Sequence, residues 1–269
     1  MIRAGVRCLD VSLRSFASKV VYRLYSWRLQ QQSAGKHPRH IGIILDGNRR
    51  WAREAGFTDV NGGHRVGAKR IENFLTWCRE AGVEVVTLFL LSTDNVRNRA
   101  NEEVQALLQI IPDVVDELAA PGNPWRLSIV GSQEMLPAEV ATRLTAAAQR
   151  TDGRKGMVVN VAVGYGGRQE IADAVRKLLR QHADEGTSIR ELAKILDVDH
   201  ISEHLYTSGQ PDPDLIIRTS GEQRLSGFLL WQSAHSEFWF TEAYWPAFRR
   251  VDFLRALRDY AVRNRRYGG

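Results

Sequence analysis

The sequence has little cysteine and no long apolar run, and both absences narrow what the protein can be. Only two of its 269 residues are cysteines, Cys8 and Cys78, which is too few for a disulfide scaffold or a zinc site of the usual form. No apolar run approaches the roughly 20 residues that a helix needs to cross a bilayer. Internal repeats and low-complexity segments are also missing. We therefore expect a globular, cytoplasmic protein.

Positive charge is present, but it is confined to one end of the chain. Hydrophobic residues make up 43% and charged residues 25% of the sequence, as expected for a protein with a full core. The formal net charge is +6, yet residues 1–40 hold eight Lys or Arg and only one acidic residue. Beyond residue 40 acidic and basic side chains almost balance. The charge therefore does not indicate a nucleic-acid partner.

The basic N-terminal segment has the pattern of an amphipathic helix. Its apolar residues recur every three or four positions: Ile2, Val6, Leu9, Leu13, Phe16, Val20, Leu24 and Trp27. Such a helix can lie on the inner face of the cell membrane, dock on its own domain or fray, and the sequence leaves these alternatives open. We predict that residues 1–37 form this extension and a linker, and that residues 38–269 form the folded domain.

The rest of the chain alternates short apolar runs with amphipathic stretches. Strands are predicted at 41–45, 83–91, 126–130, 157–163 and 215–217, and helices near 64–81, 102–119, 135–150, 167–183 and 250–264. Strands of Val, Ile and Leu separated by such helices indicate a mostly parallel sheet. We expect one α/β domain whose ligand lies beyond the carboxyl ends of the strands.

The polar segments that follow these strands suit a metal-bound polyphosphate. After the first strand come Asp46, Gly47 and Asn48, then arginines at the start of a helix. Arg218 and Arg224 follow the fifth strand and could clamp a diphosphate between two guanidinium groups. Glu237 precedes an aromatic run, where a carboxylate is costly to bury without a cation. Each segment taken alone is also compatible with ordinary connecting sequence.

Together these motifs resemble the cis-prenyltransferases, the Z-isoprenyl diphosphate synthases related to undecaprenyl diphosphate synthase. That family opens with a histidine, an apolar strand and Asp-Gly-Asn-Gly-Arg-Trp-Ala, and residues 40–52 follow this order. Later family signatures match residues 63–64, 92–95, 165–168, 214–240, 245–246 and 265–269. The resemblance covers residues 38–269.

The resemblance implies a homodimer with an apolar tunnel between sheet and helices. It implies Mg²⁺-dependent condensation of an allylic diphosphate with isopentenyl diphosphate, which makes a cis double bond. Asp46 and Asn95 are the implied catalytic residues, and Asp46 with Glu237, the latter reaching across the dimer, would hold the metal. The implied substrate-binding residues are Gly47, Asn48, Arg49, Arg50, Trp51, His64, Ser92, Asp94, Arg97, Arg99, Arg218, Arg224 and Ser226.

Several positions depart from the family pattern. Arg49 stands where a glycine is usual, Val96 where an aromatic residue is usual, and Asp94 where a glutamate is usual. A one-residue gap leaves open whether Arg97 or Arg99 matches the family arginine. An arginine that often precedes Gly63 is not evident. These departures leave the choice of allylic substrate open.

Leu90 bears on the length of the product. Long-chain relatives tend to end the second strand with Tyr-Ala-Phe-Ser, whereas this chain has Leu90 in place of the alanine. A larger side chain near the diphosphate end would block the growing chain early, which favours Z,E-farnesyl diphosphate made from geranyl diphosphate. The alternative for Leu90 is a position inside the sheet core.

Three other functions compete with a short-chain synthase. A long-chain polyprenyl synthase differs only in product, and a non-catalytic relative would not need the diphosphate-binding groups. A nucleotide-binding α/β protein would carry a P-loop or a dinucleotide fingerprint, and neither occurs here. The sequence also lacks the Asp-Asp-x-x-Asp motif of the all-helical trans-prenyltransferases.

Overall fold

The computed structural model describes residues 24–31, 37–59, 61–98 and 101–263. Predictions that concern residues 1–23, Arg99 or the terminal residues 264–269 lie outside these ranges. The chain divides into two compact units, one of Pro38–Phe248 and one of Met1–His37 with Arg249–Gly269.

The larger unit is built on one sheet of six parallel strands in the order β3-β4-β2-β1-β5-β6. The strands are β1 His40–Ile44, β2 Val85–Ser92, β3 Arg126–Val130, β4 Val158–Tyr165, β5 Leu215–Arg218 and β6 Glu237–Phe240. The predicted α/β class with a parallel sheet is confirmed. The apolar pattern does not predict β6, because its aromatic run resembles core sequence of any kind.

The described part of the chain contains ten α-helices. They are α1 residues 24–31, α2 Asn48–Glu54, α3 Asn61–Glu80, α4 Thr93–Asn98, α5 Asn101–Leu118, α6 Ala138–Gln149, α7 Gly167–Asp184, α8 Ile189–Ile195, α9 Val198–Ser202 and α10 Arg250–Val262. The long ones agree with the predicted stretches. The short helices α8 and α9 are not predicted from the apolar pattern.

Helix α3 shows how the apolar pattern of the sequence determines which residues pack in the core. Ile71, Phe74, Leu75 and Cys78 are spaced three or four residues apart and are buried, so they form one apolar face. Phe74 lies edge-on to Trp245, with ring centroids 5.7 Å apart. This face fixes α3 beside the sheet and brings the start of the helix to the carboxyl ends of the strands.

The order of the strands reverses between β1 and β5. From β1 the chain moves to β2 on one side, whereas from β5 it moves to β6 on the other. Parallel sheets leave a crevice where this reversal occurs, just beyond the carboxyl ends of the two strands. Asp46 and Arg218 lie at these two ends, and Ile44 pairs in register with Arg218.

In the smaller unit, helices α1 and α10 share an apolar contact. Leu29 is buried with Val251 and Leu254, and the Arg255 guanidinium lies 5.4 Å from the ring centre of Tyr25. Leu24 and Trp27 are largely exposed. Within the described ranges, no helix has the length and apolar character required of a membrane span.

Candidate active site at the carboxyl edge of the sheet

A polar cavity of about 430 Å³ opens at the crevice between β1 and β5. Its walls come from the ends of β1, β2 and β5 and from helices α2, α3 and α4. The predicted site residues that line it are Asp46, Gly47, Asn48, Arg49, Arg50, His64, Leu90, Ser92, Asp94, Asn95, Arg218, Arg224 and Ser226. The topology thus brings together motifs that lie far apart in the sequence.

Asp46 is held as a carboxylate at the centre of this cavity. Its Oδ2 accepts a hydrogen bond from Arg218 Nη2 at 2.9 Å, and its Oδ1 accepts one from the Gly47 amide at 2.6 Å. Burial raises the pKa of the Asp46 carboxyl, but the hydrogen bond and charge of Arg218 outweigh this, so the net pKa lies below its usual value. Asp46 is therefore ionised at neutral pH.

Arg218 is a buried cation that organises the loop after β5. Only 4% of the residue is exposed. Its Nη1 donates to the Arg224 carbonyl and, at 2.9 Å, to Ser226 Oγ. Among the described residues its Nε has no hydrogen-bond partner. Arg224 itself is mostly exposed and pairs with Glu222. Arg218 therefore lies deep in the cavity, and Arg224 lies at its opening.

Arg50 reaches the same loop from helix α2. Its Nη2 donates to Ser220 Oγ at 2.7 Å and lies 3.7 Å from Asp46 Oδ2, while its Nη1 lies 3.4 Å from Glu222. The side chain is half-exposed. It can therefore turn toward an anion in the cavity at little cost in burial.

Backbone conformation makes the close approach of α2 to this loop possible. Gly47 has φ +97°, and a Cβ there would lie 2.6 Å from the Tyr244 ring and 2.9 Å from Ser220 Cβ. Ser220 also has a positive φ, 78°, a conformation that costs a non-glycine residue free energy. This strained backbone conformation places the Ser220 hydroxyl within hydrogen-bond distance of Arg50.

Helices α2 and α3 are in direct backbone contact beside the cavity. A Cβ on Gly63 would lie 2.0 Å from the Asn48 carbonyl oxygen, so only glycine fits. Asn48 donates from Nδ2 to the Leu45 carbonyl at 2.9 Å, and its buried Oδ1 has no partner among the described residues. An unpaired buried acceptor at a cavity wall is a feature that a bound ligand or water can satisfy.

The end of β2 contributes a second polar segment. Ser92 Oγ accepts a hydrogen bond from the Asn95 amide at 3.0 Å, which fixes the start of the short helix α4. Ser92, Asp94 and Asn95 all line the polar cavity. The segment therefore presents a hydroxyl, a carboxylate and an amide to a ligand in the polar cavity.

Arg49 forms an ion pair with Glu103, which gives the side chain at this position a structural role that the family glycine could not have. Its Nη1 lies 3.1 Å from Glu103 Oε2, and His64 Nε2 lies 3.4 Å from Glu103 Oε1. Glu103 belongs to the first turn of α5. The sequence gives no sign of this contact, because Glu103 is 54 residues from Arg49 and lies in an ordinary acidic helix start.

A second, apolar cavity of about 50 Å³ continues from the polar one. It lies between α3 and α5, and Leu45, Asn48, His64 and Leu90 line both cavities. Its remaining walls are Gly67, Ala68, Ile71, Leu107, Ile110, Ile111, Val114 and Trp245. At about 10–15 Å³ for each water-sized sphere, it holds roughly four such groups.

Leu90 lies in a β-bulge. Phe89 pairs with Ala162 and Leu91 with Val163, so Leu90 has no partner on β4. A bulge redirects the side chain of its extra residue, and here that side chain meets both cavities. Leu90 is therefore not confined to the sheet core.

Two carboxylates line the polar cavity, those of Asp46 and Asp94. Among the described residues no group of three or more His, Cys, Asp or Glu could hold a metal ion. Glu237 begins β6, where it pairs with Leu215, while Arg218 pairs with Phe240. Glu237 therefore lies toward the opposite end of the sheet from Asp46, and within one chain the two do not form a joint site.

Two further predicted residues do not reach the polar cavity. Trp51 packs instead against Phe57, with ring centroids 5.5 Å apart, and Arg97 is not part of the cavity lining. Arg99 lies outside the described residues. Conversely, Ser220, Glu222 and Glu103 contact site residues although the motifs do not single them out.

The site thus combines a cationic cavity that suits diphosphate groups with an apolar extension that suits a hydrocarbon chain. Arginine side chains, backbone amides and the carboxylates of Asp46 and Asp94 surround the first cavity, while mostly aliphatic side chains surround the second. An α/β enzyme with this pair of adjoining cavities is suited to an amphiphilic diphosphate.

Comparison with known proteins agrees with this class. Residues 44–268 match the family model described as "Putative undecaprenyl diphosphate synthase". The chain belongs to this family, the cis-prenyltransferases, and is a prenyltransferase.

Two curated relatives and one solved structure are similar to this chain over most of its length. The chain is 60% identical over 258 residues to isoprenyl transferase 1 of Corynebacterium diphtheriae, covering 96% of this chain and 97% of the relative. It is 58% identical over 251 residues to the (2Z,6E)-farnesyl diphosphate synthase of Mycolicibacterium smegmatis, covering 92% and 95%. The crystal structure of lavandulyl diphosphate synthase from Lavandula x intermedia, in complex with dimethylallyl diphosphate, matches with a TM-score of 0.80 at 35% identity, covering 87% and 99%.

Proposed function

We propose that this prenyltransferase condenses geranyl diphosphate with one isopentenyl diphosphate to give Z,E-farnesyl diphosphate. The observation that carries the proposal is the small apolar cavity joined to the diphosphate cavity at Leu90. A chain anchored by its diphosphate beside Asn48 and Arg50 has little room to extend past Leu90. The short-chain and (2Z,6E)-farnesyl synthase names of relatives at 57–58% identity support this product.

The residues of the polar cavity divide between two diphosphates. Gly47, Asn48 and Arg50 at the start of α2 lie beside the entrance to the apolar cavity, so they suit the allylic diphosphate. Arg218, Arg224 and Ser226 form the other side and suit isopentenyl diphosphate. In the reaction a carbon–carbon bond forms, the allylic carbon–oxygen bond breaks, and a proton leaves the isopentenyl unit. The arginines stabilise the negative charge that develops on the departing diphosphate.

Asp46 suits a magnesium ion carried by the substrate. Mg²⁺ is usually bound through one or two carboxylates together with substrate phosphates and water, and Asp46 supplies one ionised carboxylate at the cavity. The ion would neutralise charge on the diphosphate oxygens. Asp46 is paired with Arg218 in this structure, so its Oδ2 must be shared or released when the ion binds.

Dimerisation and localisation are part of the same proposal. Because Glu237 and Asp46 lie toward opposite ends of one sheet, Glu237 can serve the metal only across an interface, which favours a homodimer. The exposed Leu24 and Trp27 of the basic N-terminal segment suit peripheral contact with the inner face of the cell membrane. The protein would otherwise be cytoplasmic. Deleting residues 1–36 should then release it into the soluble fraction with its activity in detergent retained.

Product analysis tests the proposed reaction. Purified protein is incubated with Mg²⁺, labelled isopentenyl diphosphate and, in turn, dimethylallyl, geranyl or farnesyl diphosphate, and the products are sized by chromatography. We expect geranyl diphosphate to be preferred and extended once. Products of decaprenyl or undecaprenyl length would instead show a long-chain synthase, and no turnover with any allylic substrate would show a non-catalytic relative.

Leu90→Ala tests the basis of product length. Removing the side chain joins the two cavities more widely, so we expect the variant to make longer products than the wild type. Ile129→Ala, on β3 and in the lining of neither cavity, is a matched truncation control that should leave product length unchanged. An unchanged product from Leu90→Ala would show that Leu90 does not limit the chain.

A further inference from the structure

Glu103, Arg49 and His64 join three helices at the boundary between the polar and apolar cavities. Arg49 belongs to α2, His64 to α3 and Glu103 to α5. Arg49 and His64 line the polar cavity, and His64 also lines the apolar one, whereas Glu103 lines neither. Glu103 can therefore affect a ligand only through its neighbours.

The burial of Glu103 makes its contacts costly to lose. Its side chain is 10% exposed, while that of Arg49 is 42% exposed. A buried carboxylate requires a cation or hydrogen-bond donors, and its two oxygens face different partners, Oε2 toward Arg49 and Oε1 toward His64. The carboxylate thus holds the Arg49 side chain by a hydrogen bond and lies beside the His64 ring. A glycine at position 49, as in the family pattern, could not make this contact.

The same residue fixes the start of the helix that forms one wall of the apolar cavity. Helix α5 continues from Glu103 to Leu107, Ile110, Ile111 and Val114, which all line that cavity. Tying its first turn to α2 and α3 sets how far these side chains stand from Ile71 on α3. The ion pair therefore connects diphosphate-site geometry to the width of the apolar cavity.

We propose that Glu103 is a positioning residue that restricts the chain length of the allylic substrate. It holds Arg49 beside His64 at the cavity boundary and fixes the apolar wall of α5. This role is distinct from that of Leu90, which meets the chain directly, and it rests on the function proposed above. Loss of the Glu103 charge should loosen the wall and weaken discrimination between short and longer allylic chains.

Binding of unreactive allylic analogues tests this role separately from turnover. We compare dissociation constants of geranyl and farnesyl thiolodiphosphate in the wild type and in Glu103→Gln, which keeps the shape of the side chain. We expect the ratio that favours the geranyl analogue to fall at least about fivefold. A general loss of diphosphate affinity would cancel in this ratio. An unchanged ratio would overturn the proposal.

Two further variants separate positioning from general damage. Arg49→Gly should lower the ratio in the same direction, and the double variant should add little, because both changes break the same Arg49–Glu103 ion pair. Asp116→Asn is the matched control, since it removes the carboxylate charge of α5 that pairs with Arg143 and Arg150 and should leave the ratio unchanged. Additive single effects, or an equal shift in the control, would contradict the role of Glu103.

The binding experiment gives a clear result even if one variant does not fold or if the proposed reaction does not occur. If Glu103→Gln does not fold, Arg49→Gly carries the test, because that side chain is substantially exposed. If the wild type shows no prenyl transfer but its analogue ratio still changes in the variants, the proposed reaction fails and the positioning role stands. If the wild type turns over and the ratio is unchanged, only the positioning role fails.

Discussion

The two ends of the central sheet use buried polar side chains for opposite purposes. Toward the amino ends, His40 contacts the Pro211 carbonyl through Nδ1 at 2.7 Å and Thr87 Oγ1 through Nε2 at 2.8 Å. Asn160 donates to Thr87 Oγ1 and to Gln210 Oε1, at 3.0 and 2.7 Å. At the carboxyl ends, Asp46, Arg50 and Arg218 surround a cavity instead.

The difference lies in whether the polar groups satisfy one another. In the amino-end network, each side chain finds partners within the fold, so burial stabilises a single arrangement. At the carboxyl end Arg218 Nε and Asn48 Oδ1 lack partners among the described residues, and Ser220 is held at a positive φ. The polar groups at the carboxyl end are therefore arranged to bind a ligand and not one another.

The largest expected effect is at the carboxyl end. Asp46→Asn keeps an acceptor for Arg218 but removes the charge that suits Mg²⁺, so kcat/KM should fall by about 10²–10³. The melting temperature should change little, because Asp46 is partly exposed. Near-normal turnover at saturating Mg²⁺ would contradict its role. Asp152→Asn, in the turn after α6, serves as a control for the loss of one acidic charge.

At the amino end the expected effect is on stability and depends on pH. Burial lowers the pKa of His40 to about 4, against an ordinary value of 6.5. The unfolded chain therefore binds a proton between these values while the folded chain does not. Stability from this group is complete above pH 6.5 and declines by up to about 3 kcal/mol as the pH falls to 4.

Denaturant unfolding at several pH values measures this decline. His40→Gln should remove that part of the pH dependence, since glutamine does not titrate in this range. A wild type and variant with parallel stability curves between pH 6.5 and 4 would show that His40 is not the responsible group. The His40 ring is neutral at neutral pH, so its titration should not affect activity there.

A smaller effect distinguishes the two diphosphate regions. Arg224→Ala should raise the KM for isopentenyl diphosphate by about tenfold or more, as expected for a charge-assisted hydrogen bond. The KM for the allylic substrate should change less, and stability should stay within about 0.5 kcal/mol because the side chain is exposed. The reverse preference in substrate titrations would mean that the two regions are assigned the wrong way round.

The sequence predicts those parts of the molecule that depend on local pattern. Strands β1 to β5, the long helices and the segment from Asp46 to Arg50 follow from periodicity and motif, and the parallel topology brings Arg218 beside Asp46. Contacts between distant segments are not predicted: Ser220 with Arg50 and Glu103 with Arg49. The bulge at Leu90 also escapes prediction, because its register is set by β4 rather than by β2 alone.

One paired measurement tests most directly whether the two ends of the sheet differ in purpose. Thr87→Val and Arg50→Gln each remove one polar function, and both the free energy of unfolding and the dissociation constant of geranyl thiolodiphosphate are measured. For Thr87→Val we predict a loss of about 1–3 kcal/mol with affinity unchanged, because its buried partners lose a hydrogen bond. For Arg50→Gln we predict near-normal stability and about tenfold weaker binding. Equal losses of stability in both variants, with affinity unchanged in Arg50→Gln, would contradict this account.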